Sequence, residues 1–89
     1  MIIQLYLDIK YNVSSFKILK LLDDNNIGFS VLTFNADEID KVSSIIGEKV
    51  RKLPQVVVDG KRIGGYYDLM EFLMNEKLIN FKGIKNDID

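Results

Sequence analysis

The hydrophobic positions of this chain follow two rhythms. Ile3 to Leu7, Phe29 to Phe34 and Val56 to Val58 are short runs of apolar and β-branched residues, which predict strands. The first run is almost continuously apolar, as suits a central strand covered on both faces. Lys61-Arg62-Ile63 reads as a returning strand, because Asp59-Gly60 before it supplies the positive φ of a two-residue hairpin turn.

Between these runs the apolar residues recur at three- and four-residue steps. Phe16, Ile18, Leu19, Leu21 and Leu22 make a wide face, with Lys17, Lys20, Asp23 and Asp24 outside it. This predicts a helix from about Ser15 to Asn25, capped by Ser14 or Ser15 and ended by Asn25-Asn26 and Gly28. Ile39, Val42, Ile45 and Ile46 predict a second helix. Asn35, with Glu38 three residues on, has the spacing of a capping box that would open it, and Gly47 would close it. Gly64-Gly65 hands over to a third helix with Leu69, Met70, Phe72 and Leu73 inward. Leu78, Ile79 and Phe81 are expected to pack a last turn, and residues 84–89 to form a polar tail.

The predicted order is strand, helix, strand, helix, strand, strand, helix. Two strands joined by a helix pair in parallel through a right-handed crossover, and the last two form an antiparallel hairpin. The expected fold is α/β: one domain over residues 1–83, with a four-stranded mixed sheet and helices on both faces. Forty-seven per cent hydrophobic residues, five Phe and four Tyr are enough to build a core in 89 residues.

Composition then narrows the chemistry. There is no cysteine, which excludes disulfides, thiolate metal sites and a thiol nucleophile within this chain. There is no histidine, which excludes an imidazole base or ligand. No metal site is expected. A net charge of −1, without a run of five like charges, lacks the basic face of a nucleic-acid binder. No apolar stretch is long enough for a bilayer, and Met1-Ile2-Ile3-Gln4-Leu5 lacks the basic start of a signal peptide, so the expectation is a cytoplasmic protein without a membrane partner.

The most informative stretch is Lys52-Leu53-Pro54-Gln55, followed by Asp59-Gly60, Ile63-Gly64-Gly65 and Asp68. It resembles the glutaredoxin family of the thioredoxin fold, which typically carries Thr-Val-Pro-Gln, a strand, a tight turn, then Ile-Gly-Gly with Asp shortly after. The match runs over about 18 residues without a gap, and weaker agreement extends over roughly residues 2 to 80. The resemblance implies a glutaredoxin-like βαβαββα fold and a cis Leu53-Pro54 bond. It also implies a glutathione groove in which Leu53 and Pro54 meet the peptide backbone, while Gly65, Tyr66, Tyr67 and Asp68 receive a carboxylate. The departure is in the first loop. The family's Cys-x-x-Cys falls on Asn12-Val13-Ser14-Ser15, or on Tyr11 to Ser14 when counted from the first strand, and neither register holds a cysteine. Disulfide exchange needs a thiolate, which Ser14 and Ser15 cannot replace. The family's lysine before the cysteine is missing as well: Asp8 or Ile9 stands there, with Lys10, Arg51 and Lys52 as nearby substitutes.

Each of these residues also has a plain structural role open to it. Gly64-Gly65 would let the hairpin pack closely on the last helix. Asp68 would be a first-turn carboxylate, and Ser14-Ser15 a helix cap. Tyr11 and Tyr67 would form an aromatic-basic patch with Lys10, Arg51 and Lys52. Three functional classes follow. The first is a redox-inactive glutaredoxin-like binding or adaptor module that meets a protein partner on the former active-site face, with no cofactor required. The second is a glutathione or peptide binder that keeps the groove without the thiol chemistry. The third is a glutathione-transferase-like enzyme using the hydroxyl of Tyr6, Tyr11, Ser14 or Ser15.

Overall fold

Alternation along Ile3–Asp8 (β1) sends Ile3, Leu5 and Leu7 to one side of the sheet and Tyr6 to the other. A computed structural model describes residues 1–80 of the chain. The expected packing of Phe81, the domain end at residue 83 and the polar tail lie outside the described residues. β1 occupies the interior of a four-stranded sheet. It pairs in parallel with Ser30–Phe34 (β2) and antiparallel with Gln55–Val58 (β3), which in turn pairs antiparallel with Lys61–Gly64 (β4). The hairpin turn has positive φ at both Asp59 and Gly60, 51° and 82°, as a two-residue turn with the strands' twist requires.

Two apolar clusters form, one on each face of the sheet. Ile3, Leu5, Leu7, Val56 and Val58 pack against Ile18, Leu21 and Leu22 of Val13–Asp24 (α1) and Leu69 and Leu73 of Tyr66–Asn75 (α3). Tyr6, Phe34 and Val57 pack against Val42 of Ile39–Ile46 (α2) and against Val50. Tyr6 stacks on Phe34 with ring centroids 5.9 Å apart. Glu38 reaches back to the Asn35 N–H at 2.8 Å, and a 3₁₀ turn over Ala36–Glu38 precedes α2. Gly47 ends α2 with φ 90°. Val50 is tied to α2 by its N–H, which donates to Ser43 Oγ at 3.0 Å. Buried Gln55 is satisfied by donating to the Lys52 carbonyl and accepting from Arg62. No described helix is long and apolar enough to cross a membrane.

Four expectations are corrected. α1 starts at Val13, not Ser15, and its cap is Asn12, not Ser14 or Ser15. An asparagine carbonyl reaches the backbone N–H three residues on, so the helix gains two more residues. The buried stripe of α1 becomes Ser15, Ile18, Leu21 and Leu22, which leaves Phe16 outside it at 60% exposure. β2 begins at Ser30, not Phe29, and is an edge strand whose residues are exposed except Phe34. Ile45, expected on the inner face of α2, is 52% exposed, because the eight-residue helix presents only Val42 fully to the sheet.

Candidate functional site

The N-termini of α1 and α3 and the loop before β3 converge on one cleft of about 380 Å³. Leu53, Pro54, Gly65, Tyr66, Tyr67 and Asp68, six residues of the sequence-derived site, all line it. Asn12 and Ser14 join them from the first loop, and Lys17 and Lys52 complete the wall. The Leu53–Pro54 peptide is cis.

The first loop is organised by Asn12. Its Oδ1 accepts from the Ser15 N–H at 2.9 Å and from Ser15 Oγ at 3.0 Å. Its Nδ2 donates to the Leu53 carbonyl at 3.1 Å, across 41 residues of sequence. One side chain therefore caps α1 and ties it to the proline loop. Ser15 is fully buried and spends its hydroxyl on this cap, so it is a structural residue and not a nucleophile. Tyr11 leaves the cleft and packs edge-on against Phe16, with centroids 5.8 Å apart. Of the candidate hydroxyls Tyr6, Tyr11, Ser14 and Ser15, Ser14 is the one exposed at the cleft. Tyr6, which the transferase-like reading would recruit, is buried in the second cluster.

The start of α3 is built differently. Gly64 has φ 127°, and a Cβ placed on it would lie 2.8 Å from the Asp68 carboxyl carbon. Glycine is required there by both backbone and space. Asp68 uses that space to accept from the Gly65 N–H at 3.0 Å. Gly65 is a separate case: a Cβ on it would meet nothing within 4 Å. The two glycines, open between packing and ligand approach in the sequence, thus divide: Gly64 serves packing, while Gly65 leaves a bare stretch of cleft wall. The N–H groups of Tyr66 and Tyr67 lie in the first turn of α3, where helix donors have no intrahelical acceptor.

The cleft wall carries two lysines, Lys17 and Lys52, and one carboxylate, Asp68. Among the described residues neither Lys17 nor Lys52 has a carboxylate partner. Lys17 Nζ stands 5.7 Å from the centroid of the Tyr66 ring. Lys17 was outside the sequence-derived site. Its signal was the three-residue step from Ser14, which puts both on one face at the start of α1. Of the lysine substitutes, only Lys52 reaches the cleft; Lys10 lines a different depression with Asp8, Ile9, Asn35, Ala36 and Asp37, and Arg51 is exposed elsewhere. The aromatic-basic patch is corrected accordingly. Tyr67 is 75% exposed beside Lys52, while Tyr11 belongs to the Phe16 pair. Among the described residues no group of three or more His, Cys, Asp or Glu side chains is placed to hold a metal ion.

No protein-family model matches the chain, and no curated protein matches it in sequence. Solved structures do match it. Glutaredoxin 1 from Francisella tularensis, complexed with cacodylate, superposes with a TM-score of 0.63 at 18% identity, over 84% of this chain and 93% of that one. E. coli glutaredoxin gives 0.60 at 19% identity, over 85% and 96%. A glutathione S-transferase of Ceriporiopsis subvermispora in complex with glutathione gives 0.71 at 14% identity, over 92% of this chain and only 43% of the transferase. These identities establish likeness of fold, and with the strand order and the two-faced helix arrangement they show that the chain has the glutaredoxin-like form of the thioredoxin fold.

Proposed function

We propose that the chain is a non-catalytic binding protein whose cleft takes glutathione or a short, extended, carboxylate-bearing peptide. The observation that carries this reading is Gly65, where the wall has no side chain and no internal contact calls for that absence. A ligand backbone has room to approach there. Tyr66 and Tyr67 offer N–H donors at a helix start, where a carboxylate is favoured. Lys17 and Lys52, without a carboxylate partner among the described residues, bring positive charge to the cleft that Asp68 also lines. The transferases of Ceriporiopsis subvermispora that share this fold hold glutathione, which supports the choice of ligand. With no cysteine in the chain, no mixed disulfide can form, so the ligand is held reversibly and its thiol is not consumed. A cytoplasmic location belongs to the same proposal.

The test is a glutathione titration followed by two-dimensional amide NMR. Saturable shifts at Leu53, Gly65, Tyr66 and Asp68 are expected, with a Kd on the order of 1 mM. No shift at about ten times that concentration, with glutathione or with an acidic peptide, overturns the reading. A disulfide-reduction assay is expected to show no turnover above buffer.

A second reading, an adaptor for a protein partner, draws on a different observation. Val13 and Phe16, at the start of α1, and Tyr67, which lines the cleft, are 71%, 60% and 75% exposed. Apolar and aromatic side chains held in the open suit a protein contact. Under this reading glutathione is silent, and Phe16→Ser abolishes capture of the partner while leaving the fold unchanged. The transferase-like alternative has only Ser14 left to act, since Tyr6, Tyr11 and Ser15 are otherwise engaged. A conjugation assay is expected to be blank.

A further inference from the structure

The sheet has two edges, and the chain treats them unequally. β4 carries Lys61 and Arg62, pairs to β3 through a register shift between Val56 and Val57, and is braced by the Arg62–Glu48 ion pair. Charge and irregular pairing are the usual ways in which an edge strand is kept from recruiting another. β2, on the opposite edge, has none of these. Ser30-Val31-Leu32-Thr33-Phe34 contains no charge and no proline, and its register with β1 is unbroken over five pairs. The uncharged stretch extends from Asn25 to Ala36. Val31 and Leu32 are 37% and 41% exposed. They lie on opposite faces, since Val31 neighbours Leu5 and Leu32 neighbours Tyr6.

We propose that the edge of β2, which no strand among the described residues covers, pairs with β2 of a second copy, antiparallel, to make a continuous eight-stranded sheet. The strand is self-complementary about Leu32. A two-fold axis there sets Val31 opposite Thr33 of the partner and Ser30 opposite Phe34, and from Gly28 to Ala36 no charged side chain faces another. The net charge of −1 offers little repulsion between copies. Because β4 is protected, the assembly closes at two chains and does not grow into a filament. A pairing of five-residue strands is small beside a standard interface, so the dimer is weak, with a Kd on the order of 0.1 mM.

Sedimentation equilibrium of the whole chain, from about 10 μM to about 1 mM, tests this. The expected mass rises from that of one chain toward that of two and stops there. Leu32→Lys, at an exposed position, keeps the amide spectrum of a folded chain and stays monomeric over the same range. Lys61→Ala, on the other edge, associates as the parent does. A parent chain that remains monomeric at the highest concentration overturns the proposal. So does growth beyond two chains, or a Leu32→Lys chain that dimerises as before.

Discussion

Two helices begin at the same cleft by opposite means. α1 begins with a side chain that turns inward, and Asn12 spends its amide on the α1 backbone, on Ser15 and on the Leu53 carbonyl. α3 begins with backbone that stays open, because Gly64 makes room for Asp68 and Gly65 presents no side chain. At the α1 start Asn12 and Ser15 are tied to one another by hydrogen bonds. At the α3 start Gly65 leaves the cleft wall bare of a side chain, and Asp68 accepts from its N–H. The difference teaches that the two helix starts depend on different elements and different bonds, so one can change without the other.

The sharpest way to break the comparison is to substitute each glycine in turn. Gly64→Ala places a Cβ at positive φ and against the Asp68 carboxylate; chemical denaturation is expected to show a loss of about 2 kcal/mol or more. Gly65→Ala meets nothing, so less than about 1 kcal/mol is expected. Glutathione shifts are nonetheless expected to weaken by about tenfold, since a methyl group then occupies the cleft wall. Equal stability losses in the two variants would erase the distinction.

Asn12→Ala comes next. Removal of the cap is expected to cost about 1 kcal/mol in urea denaturation. It also frees the Leu53 carbonyl, so any affinity for an extended peptide is expected to stay equal or rise. A fall in affinity with the fold intact would mean that Asn12 contacts the ligand. Lys17→Ala with Lys52→Ala probes the open side. Stability should stay within about 0.5 kcal/mol, while anionic-ligand binding drops and loses part of its salt dependence, read by titration at two ionic strengths.

The smallest expected effect lies away from the cleft. The Asn35 N–H holds the Glu38 carboxyl below its ordinary value of 4.5, and Lys41 adds to this. A depressed carboxyl stabilises the fold above its unfolded pKa, and that contribution is lost as pH falls through the lowered value. Acid titration by circular dichroism should show the loss in the parent below pH 4.5 and a flatter profile in Glu38→Gln.

Much of the fold was legible in the chain because its cues are local. The apolar run of β1, the Asp59-Gly60 turn and the Asn35–Glu38 spacing each involve residues a few positions apart, and the physics that uses them acts at that range. Resemblance to a known motif extended this reach to Leu53, Pro54 and the Gly65 to Asp68 helix start, all of which line the cleft. Hidden from the sequence was which of two like neighbours takes which role, and which side chains meet across the cleft. Ser14 and Ser15 are adjacent and chemically alike, yet one is exposed and the other fully buried. Gly64 and Gly65 are likewise identical residues side by side, and only the position of Asp68 tells which one packing requires. Lys17 looked like any solvated helix residue until α1 and α3 were set against each other. Covalent order and backbone propensity decide which elements form. Which side chains meet is decided only when the packed sheet brings residues as far apart as Asn12 and Leu53 within hydrogen-bond reach, because that contact energy does not exist in the unfolded chain.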